Sequence, residues 1–303
     1  MDSPTLSSSV VKAVAATVGF DACGLAEATT LTPEEFHLDE WIAHGFHADM
    51  HYMEQYRDLR TDPRVLHPGA RTVISVLLGY KSSRRMEGPA RIAQYAYGED
   101  YHQRVKRMLY QFISSLRTHY PDFEARPCVD TAPISDKLWA ARAGLGWIGR
   151  NTLLINPTLG SYCYIGELVT ISPADLYDKP IENRCGNCHA CVDACPNKAL
   201  THSSIPLLNA RRCASYHTIE NRAETLPPEI HLSGYAFGCD CCQLVCPYNQ
   251  AAPTRFTLTD ERKAQLEALA DADPATFKHF AKHSALNRIR HSQWQRNQKQ
   301  QET

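Results

Sequence analysis

The hydrophobic and polar positions of the chain up to about residue 172 predict alternating helices and strands. Residues 8–20 place apolar side chains at helical spacing behind serines that can cap a helix. Residues 100–120 give the clearest helical pattern, with basic side chains on the opposite face. The apolar positions of that pattern are Val105, Met108, Leu109, Phe112, Ile113 and Leu116.

Strands are predicted at residues 22–26, 72–80, 124–129 and 161–171. Residues 72–80 form a continuous aliphatic and β-branched run, which is typical of a strand covered on both faces. Residues 33–56 predict a broken helical stretch. The alternation predicts the fold class α+β, with an α/β arrangement in the N-terminal domain.

Two changes in composition divide the chain further. Residues 172–180 are rich in proline and aspartate and predict a hinge. Residues 275–301, in a segment that is again helical in pattern, hold six Lys or Arg, three His and no acidic side chain. The predicted domains are residues 1–175, residues 176–255 and a basic helical segment at residues 256–303.

Nine of the twelve cysteines fall within residues 185–246. Residues 185–196 read CGNCHACVDACP. This is the bacterial ferredoxin spacing, in which three thiolates bind one 4Fe-4S cluster and the fourth binds another. Residues 239–247 read CDCCQLVCP and end in the same way. Because tandem zinc sites or a disulfide module leave both CxxxCP endings unexplained, the spacing predicts a ferredoxin-like domain with two 4Fe-4S clusters.

Geometry predicts how the thiols divide between the two clusters. Cysteines at every third residue can wrap one cluster, and the fourth ligand then comes from the other run. The first group is Cys185, Cys188, Cys191 and Cys246. The second group is Cys195, Cys239 and Cys242, completed by the isolated Cys213. Cys241 competes for that last place, although neighbouring residues seldom both reach one cluster.

Overall composition narrows the class of protein only a little. A chain of 303 residues with 43% hydrophobic content can bury a substantial core. Its net charge of −1 excludes neither a nucleic acid nor a small substrate. No apolar run approaches the roughly 18 residues that span a bilayer, and no apolar signal segment follows Met1. We expect a soluble cytoplasmic protein in which Cys23, Cys128 and Cys163 are unpaired thiols.

Three glycines, Gly144, Gly146 and Gly149, match the dinucleotide-binding pattern GxGxxG. The preceding residues have the pattern of a helix instead of a strand, and the following residues do not begin a helix that could receive a pyrophosphate. We therefore predict no nicotinamide site there. The glycines are expected to allow a close backbone approach or a tight turn.

Four segments together resemble the epoxyqueuosine reductase (QueG) family. They are the first cysteine run, VDTAPISDKLWAARAGLGWIGRNTLLINPTLGSYCYIGELV, LNARRCASYHTIE and GCDCCQLVCPYN. The resemblance covers about residues 21–294. It implies an enzyme that uses cobalamin and two 4Fe-4S clusters to reduce epoxyqueuosine to queuosine at the wobble position of tRNA. The implied partners are the tRNA anticodon stem-loop and an electron donor such as a flavodoxin or ferredoxin, with no membrane.

The resemblance also implies roles for single residues. Asp130 of VDTAP matches the family's proton donor, with Asp136 as the less favoured alternative. Burial against the corrin is expected to raise the pKa of Asp130 so that it acts as a general acid. The implied cobalamin contacts are Arg60, Ala93, Asn151, Leu154, Ile165 and Ser215.

A protein histidine is not expected to bind the cobalt. The DxHxxG motif of some cobalamin enzymes is absent, because Asp100 and His102 begin like it but are followed by Gln103, Arg104 and Val105. We therefore expect base-off cobalamin.

A basic surface for tRNA is expected in the C-terminal segment, with a solvated terminal helix as the alternative. Its residues are Lys278, Lys282, Arg288, Arg290 and Arg296, with Trp294 among them. Two other functions remain open at this point. One is another corrinoid iron-sulfur reductase, such as a relative of the reductive dehalogenases, and the other is an electron-transfer module without catalysis of its own.

Overall fold

The computed structural model describes residues 4–32, 37–203 and 205–300. Its α-helices are α1 (Ser8–Val18), α2 (Leu38–Ala43), α3 (Arg57–Thr61), α4 (Pro63–Leu66), α5 (Tyr101–Leu116), α6 (Asp136–Arg142), α7 (Ala190–Asp193), α8 (Ala214–Ile219), α9 (Cys241–Leu244), α10 (Pro247–Ala251), α11 (Asp260–Glu267), α12 (Pro274–Ala281) and α13 (His291–Lys299). Its strands are β1 (Ala22–Glu27), β2 (Thr72–Gly79), β3 (Arg91–Ile92), β4 (Arg126–Cys128), β5 (Trp147–Ile148), β6 (Leu154–Ile155), β7 (Cys163–Thr170) and β8 (Tyr235–Phe237). Within these described ranges, no helix combines the length and apolar character needed to cross a bilayer.

The helices predicted at residues 8–20 and 100–120 are confirmed as α1 and α5. The first four residues of the predicted stretch 33–56 lie outside the described residues. In the rest of that stretch, α2 and a short 3-10 turn at His51–Met53 confirm a broken helical segment.

Four strands form one sheet in the order β1-β2-β7-β4. All four predicted strands lie in it, and each neighbouring pair is antiparallel. The α/β arrangement predicted for the N-terminal domain is therefore wrong, because such an arrangement is built on parallel strands joined by helical crossovers. The mixture of helices with an antiparallel sheet supports the coarser class α+β.

Helices cover both faces of this sheet. α1 and α5 pack on one face, where Leu25, Ile74 and Leu168 point. α6 packs on the other face through Trp139, beside Leu77. β2 is buried at every position, as its continuous apolar run predicts. The sheet is thus packed between two hydrophobic cores, one on each face.

A third core joins residues 86–97 to the C-terminal helices. β3 pairs in parallel with β8, and Trp294 of α13 packs into the same core with 1% of its surface exposed. Arg296 is 9% exposed, and its guanidinium donates to the carbonyl oxygens of His217 at 2.7 Å and Asn221 at 3.0 Å. The expectation that Trp294 and Arg296 belong to an exposed tRNA surface is therefore wrong, because both are buried in the fold.

The connection at residues 172–180 is tied to the N-terminal helix and to β1. The backbone N–H of Ser8 donates to Asp175 at 2.8 Å. Asp178 accepts from Lys12 at 2.6 Å and from the backbone N–H of Leu25 at 2.9 Å. These bonds anchor the segment to the N-terminal part of the fold, and its role as a hinge stays a prediction. The division of the chain at residues 175 and 255 stays a prediction.

Candidate active site

A cavity of about 370 Å³ lies between the antiparallel sheet and the cysteine-rich segment. Its sheet side carries aromatic rings and carboxyl groups, from Tyr80, Tyr101, Tyr164, Asp130 and Asp136. Its other side carries sulfur, from Cys195, Cys213, Cys239, Cys241 and Cys242. One cavity is therefore lined by both carboxyl groups and thiols.

The first predicted cysteine group is brought together around Cys191. The pKa of the Cys191 thiol is raised to about 11 by burial and by the neighbouring thiols of Cys185, Cys246 and Cys188. Cys188 is exposed, whereas Cys246 is buried. A set of soft thiolate donors suits an iron-sulfur cluster or zinc, and the ferredoxin spacing favours the cluster.

The second group lies deeper, along the wall of the cavity. Burial raises the pKa of the Cys242 thiol, and so do the neighbouring charges of Cys213, Asp240, Cys191 and Cys195. Cys241 lies beside Cys239, since the Cys239 thiol donates a hydrogen bond to it. This bond lowers the pKa of the Cys241 thiol to about 7. The choice between Cys213 and Cys241 as the fourth ligand therefore stays a prediction.

Asp130 lies in the cavity wall just after β4, with a backbone φ of 42°. This left-handed conformation is uncommon outside glycine, and strained residues of this kind cluster at active sites. The Oδ2 atom of Asp130 accepts a hydrogen bond from the Tyr101 hydroxyl at 3.0 Å and lies 2.9 Å from His102 Nε2. The start of α5 therefore holds the Asp130 carboxylate in place.

His102 lies between two carboxylates. Its Nδ1 is 2.7 Å from Asp100 Oδ1, while its Nε2 faces Asp130. Because both ring nitrogens face acceptors, the doubly protonated imidazolium is favoured. Burial lowers the pKa of His102, but the hydrogen bonds to Asp130 and Asp100 outweigh burial and raise the pKa above its ordinary 6.5.

The pKa of Asp130 is lowered, not raised. Burial alone would raise it, but the hydrogen bond and charge of His102, the Tyr101 hydroxyl and the charge of Arg288 outweigh burial. The raised pKa of Asp130 was expected from burial against a bound corrin and stays a prediction, while the two carboxylates favour the protonated form of His102 here. Asp136 differs, because burial raises its pKa.

Comparison with known proteins identifies the family. Residues 60–131 match the model described as epoxyqueuosine reductase QueG, DUF1730, and residues 184–249 match that of a 4Fe-4S double cluster binding domain. The epoxyqueuosine reductase of Cyclobacterium marinum is 38% identical to this chain, over 95% of this chain and 94% of its own. The chain belongs to the epoxyqueuosine reductase family.

Solved structures of the epoxyqueuosine reductase family have the same fold. The structure from Streptococcus thermophilus has a TM-score of 0.85 and 25% identity, covering 96% of this chain and 80% of that one. A crystal structure of epoxyqueuosine reductase with an epoxyqueuosine-modified tRNA-Tyr stem loop has a TM-score of 0.78 and 28% identity. It covers 97% of this chain and 80% of that one. The resemblance inferred from the sequence is confirmed.

Four of the six cobalamin contacts that the epoxyqueuosine reductase resemblance implies line the cavity, namely Asn151, Leu154, Ile165 and Ser215. Arg60 lies on α3, and its guanidinium interacts electrostatically with Tyr52 and Asp136. Ala93 packs against β8, and its backbone N–H donates to the Phe237 carbonyl at 2.8 Å. The cobalamin contacts of all six residues stay predictions.

Asn151 brings an unused hydrogen-bond donor to the cavity. It is 3% exposed, and its Nδ2 has no partner among the residues that the structure describes. Beside it, Lys137 Nζ donates to the carbonyl oxygen of Thr152 at 2.8 Å. Leaving a buried donor unpaired costs about 1–3 kcal/mol. The free amide of Asn151 therefore suits a bound group that offers an acceptor.

Arg288 of the C-terminal segment lies within electrostatic reach of Asp130. Its guanidinium pairs with Glu220 at 2.7 Å and lies 5.9 Å from the centre of the Tyr52 ring. Its positive charge lowers the pKa of Asp130. Arg288 is one of the five basic residues expected to face tRNA. It is exposed, and its charge also acts on Asp130 in the cavity wall.

Sequence reasoning missed Tyr101 and His102 as partners of Asp130. The signal was present in Asp100, whose side chain accepts from the backbone N–H of His102 and so begins α5. That helix start fixes His102 beside Asp130. The sequence was tested only for a cobalt-binding histidine, and the carboxylate pairing required the tertiary structure.

The pKa of His102 is expected to fall when Asp130 is replaced with asparagine. The carboxylate favours the imidazolium, so its loss leaves the lowering effect of burial less opposed. Below the ordinary pKa of about 6.5 the pair stabilises the fold through His102, and this contribution disappears as the pH rises through the raised pKa. A proton NMR titration, assigned with His102→Gln, measures the change. An unaltered His102 pKa in Asp130→Asn would contradict the pairing.

Proposed function

We propose that this chain is an epoxyqueuosine reductase that reduces epoxyqueuosine to queuosine at the wobble position of tRNA, using cobalamin and two 4Fe-4S clusters. The observation that supports it most is a cavity lined both by Asp130, which contacts His102, and by the thiols of the second cysteine group. A redox centre and a proton source are thereby brought to the same substrate. The epoxyqueuosine reductase relatives support this activity over a reductive dehalogenase.

The two cysteine groups fit two 4Fe-4S clusters. Each predicted group offers four thiols, and Cys191 and Cys242, one from each group, lie close enough for their charges to interact. The first group includes the exposed Cys188 and so is the one that an external donor can approach. We infer that a flavodoxin or ferredoxin reduces the first cluster and that the second passes electrons to the cavity.

The cavity wall fits a corrin ring. Leu154 and Ile165 offer apolar contacts, and the unpaired amide of Asn151 offers a donor to the amide groups at the corrin rim. Cobalamin, when bound, supplies a cobalt centre of low potential that can reduce the epoxide carbon. His102 has both ring nitrogens engaged by carboxylates, so we infer that it would not be a cobalt ligand, and the base-off state stays a prediction.

The reaction also needs protons, because the epoxide oxygen leaves as water and the carbons become an alkene. This conversion consumes two electrons and two protons. Asp130 lies at the cavity surface, and its Oδ2 is joined to the His102 imidazolium. His102 can therefore transfer its proton to Asp130, and the resulting carboxylic acid can then give that proton to the substrate oxygen, while solvent supplies the second proton. Tyr101 orients the carboxylate through its hydroxyl.

Exposed cations of the C-terminal segment support a tRNA contact. Lys278 and Lys282 line a shallow groove with His279, while Arg288 and Arg290 are also exposed. These side chains are suited to phosphates, so affinity would weaken as salt rises. The substrate base would enter the cavity from the side that carries Arg288.

An anaerobic turnover experiment tests the proposed function. Reconstituted protein with added cobalamin is mixed with a low-potential reductant and with tRNA that carries epoxyqueuosine. Mass spectrometry of the digested nucleosides should then detect queuosine. A parallel incubation with a halogenated aromatic compound should release no halide. Protein that contains both clusters and a corrin spectrum but leaves epoxyqueuosine unchanged would overturn the proposal.

A further inference from the structure

The GxGxxG segment forms a hairpin instead of a nucleotide-binding turn. β5 and β6 pair antiparallel, with Trp147 opposite Ile155. Gly144 has a φ of +71°, and a Cβ atom on Gly146 would lie only 2.3 Å from the Ile155 carbonyl oxygen. The expectation of a tight turn and a close backbone approach is confirmed. The glycines thus fix the position of Trp147.

The hairpin is bonded to the loop that begins the first cysteine group. Arg150 donates to the Gly186 carbonyl at 3.0 Å, and Asn183 donates to the Ile148 carbonyl at 3.1 Å. The Asn183 side chain also accepts from the backbone N–H of Cys185 at 2.9 Å. Bonds on both sides of Cys185 therefore hold it against the hairpin.

Trp147 is the side chain that the hairpin presents to this loop. It is 3% exposed, and its indole N–H donates to the Cys185 sulfur at 3.4 Å. The rings of Trp147 and Tyr248 pack in a T-shaped arrangement, with 4.8 Å between their centroids. The buried Cys246 belongs to the same hydrophobic cluster. One indole therefore donates to the Cys185 sulfur and packs in the same hydrophobic cluster as Cys246.

We propose that Trp147 sets the reduction potential of the first 4Fe-4S cluster by donating its indole N–H to the Cys185 thiolate. This inference rests on the proposed function only in taking Cys185 as a cluster ligand. One-electron reduction adds negative charge that spreads onto the thiolates. A hydrogen bond to the sulfur stabilises the reduced form more than the oxidised form, so it raises the potential. Trp147 is thus a positioning residue that acts through Cys185. It makes the first cluster easier to reduce.

The variant Trp147→Phe keeps an aromatic ring and removes the N–H. In a redox titration followed by EPR, the first cluster of this variant should titrate at a more negative potential than in the wild type, while the second cluster keeps its potential. The matched control is Trp139→Phe, since Trp139 is also fully buried and its indole N–H has no acceptor among the described residues. Its substitution should shift neither cluster. An unshifted first cluster in Trp147→Phe overturns the inference.

If Trp147→Phe fails to retain its first cluster, a second measurement on wild-type protein tests the same hydrogen bond. Wild-type protein labelled with 15N-tryptophan is reduced, and pulsed EPR is used to detect nitrogen coupling to the cluster. Coupling that persists in labelled Trp139→Phe supports the bond, and its absence in the wild type overturns it. Wild-type protein that binds no 4Fe-4S cluster at all would instead overturn the proposed function, so the two failures are distinguishable.

Discussion

Replacing Asp130 with asparagine is expected to lower kcat by about 10²- to 10⁴-fold, the range attributed to a positioned proton donor. Asparagine has nearly the same shape and can still accept from Tyr101, but it cannot receive the His102 proton and give it to the leaving oxygen. Anaerobic single-turnover measurements of queuosine formation test this expectation. The spectra of both clusters and of added cobalamin should be unchanged, because Asp130 is not a predicted cluster ligand and its carboxylate contacts Tyr101 and His102.

The matched control for this variant is Asp122→Asn. Asp122 is an exposed carboxyl in the loop after α5, outside the residues that line the cavity. Its substitution should leave kcat within about twofold of the wild type, since surface substitutions away from special features change little. Full turnover by Asp130→Asn, with all cofactors bound, would contradict the assignment of Asp130 as the proton donor.

Replacing Cys213 with alanine is expected to remove the second 4Fe-4S cluster and with it all turnover. Iron per chain should fall by about half, because a thiolate ligand is lost from one of two clusters. The first cluster should persist in EPR, since its thiols come from other positions. Cys213 lies in the cavity wall, and burial raises its pKa with the Cys195 and Cys241 charges acting in the same direction.

Cys241→Ala is the matched comparison, because Cys241 is the alternative fourth ligand. It should retain full iron content, because Cys241 is not among the predicted ligands of the second cluster. Iron and EPR signals lost from Cys241→Ala but kept in Cys213→Ala would reverse the ligand assignment. Either result decides a question that the sequence spacing leaves open.

The elements with the strongest local patterns were predictable from the sequence. The continuous run of β2 and the amphipathic spacing of α5 each encode burial directly, so their outlines follow from side-chain periodicity. The double cluster domain was likewise predictable, because cluster ligands in ferredoxins recur at fixed short intervals, whereas the division of the thiols between the clusters stays a prediction. Whether neighbouring strands run parallel or antiparallel was not encoded locally, and the α/β prediction failed there.

Features that depend on distant residues were not predictable. His102 was visible, but its pairing with Asp130 joins the start of α5 to the end of β4. Burial of Trp294 and Arg296 depends on a core shared with residues 86–97, although the local sequence is basic and polar. Glu167 is a further case, since it is fully buried in β7 and burial raises its pKa, and alternation alone gave no warning of it.

Each cysteine group draws members from both ends of residues 185–246, and the third core requires helices as late as α13. During biosynthesis the N-terminal sheet can form while every metal site still lacks a ligand. With the predicted grouping, both clusters can be completed only after translation has passed Cys246. A ribosome stalled before Cys246 would leave incomplete thiol sets exposed to oxidants, so maturation of this protein is vulnerable to oxygen before the enzyme itself exists.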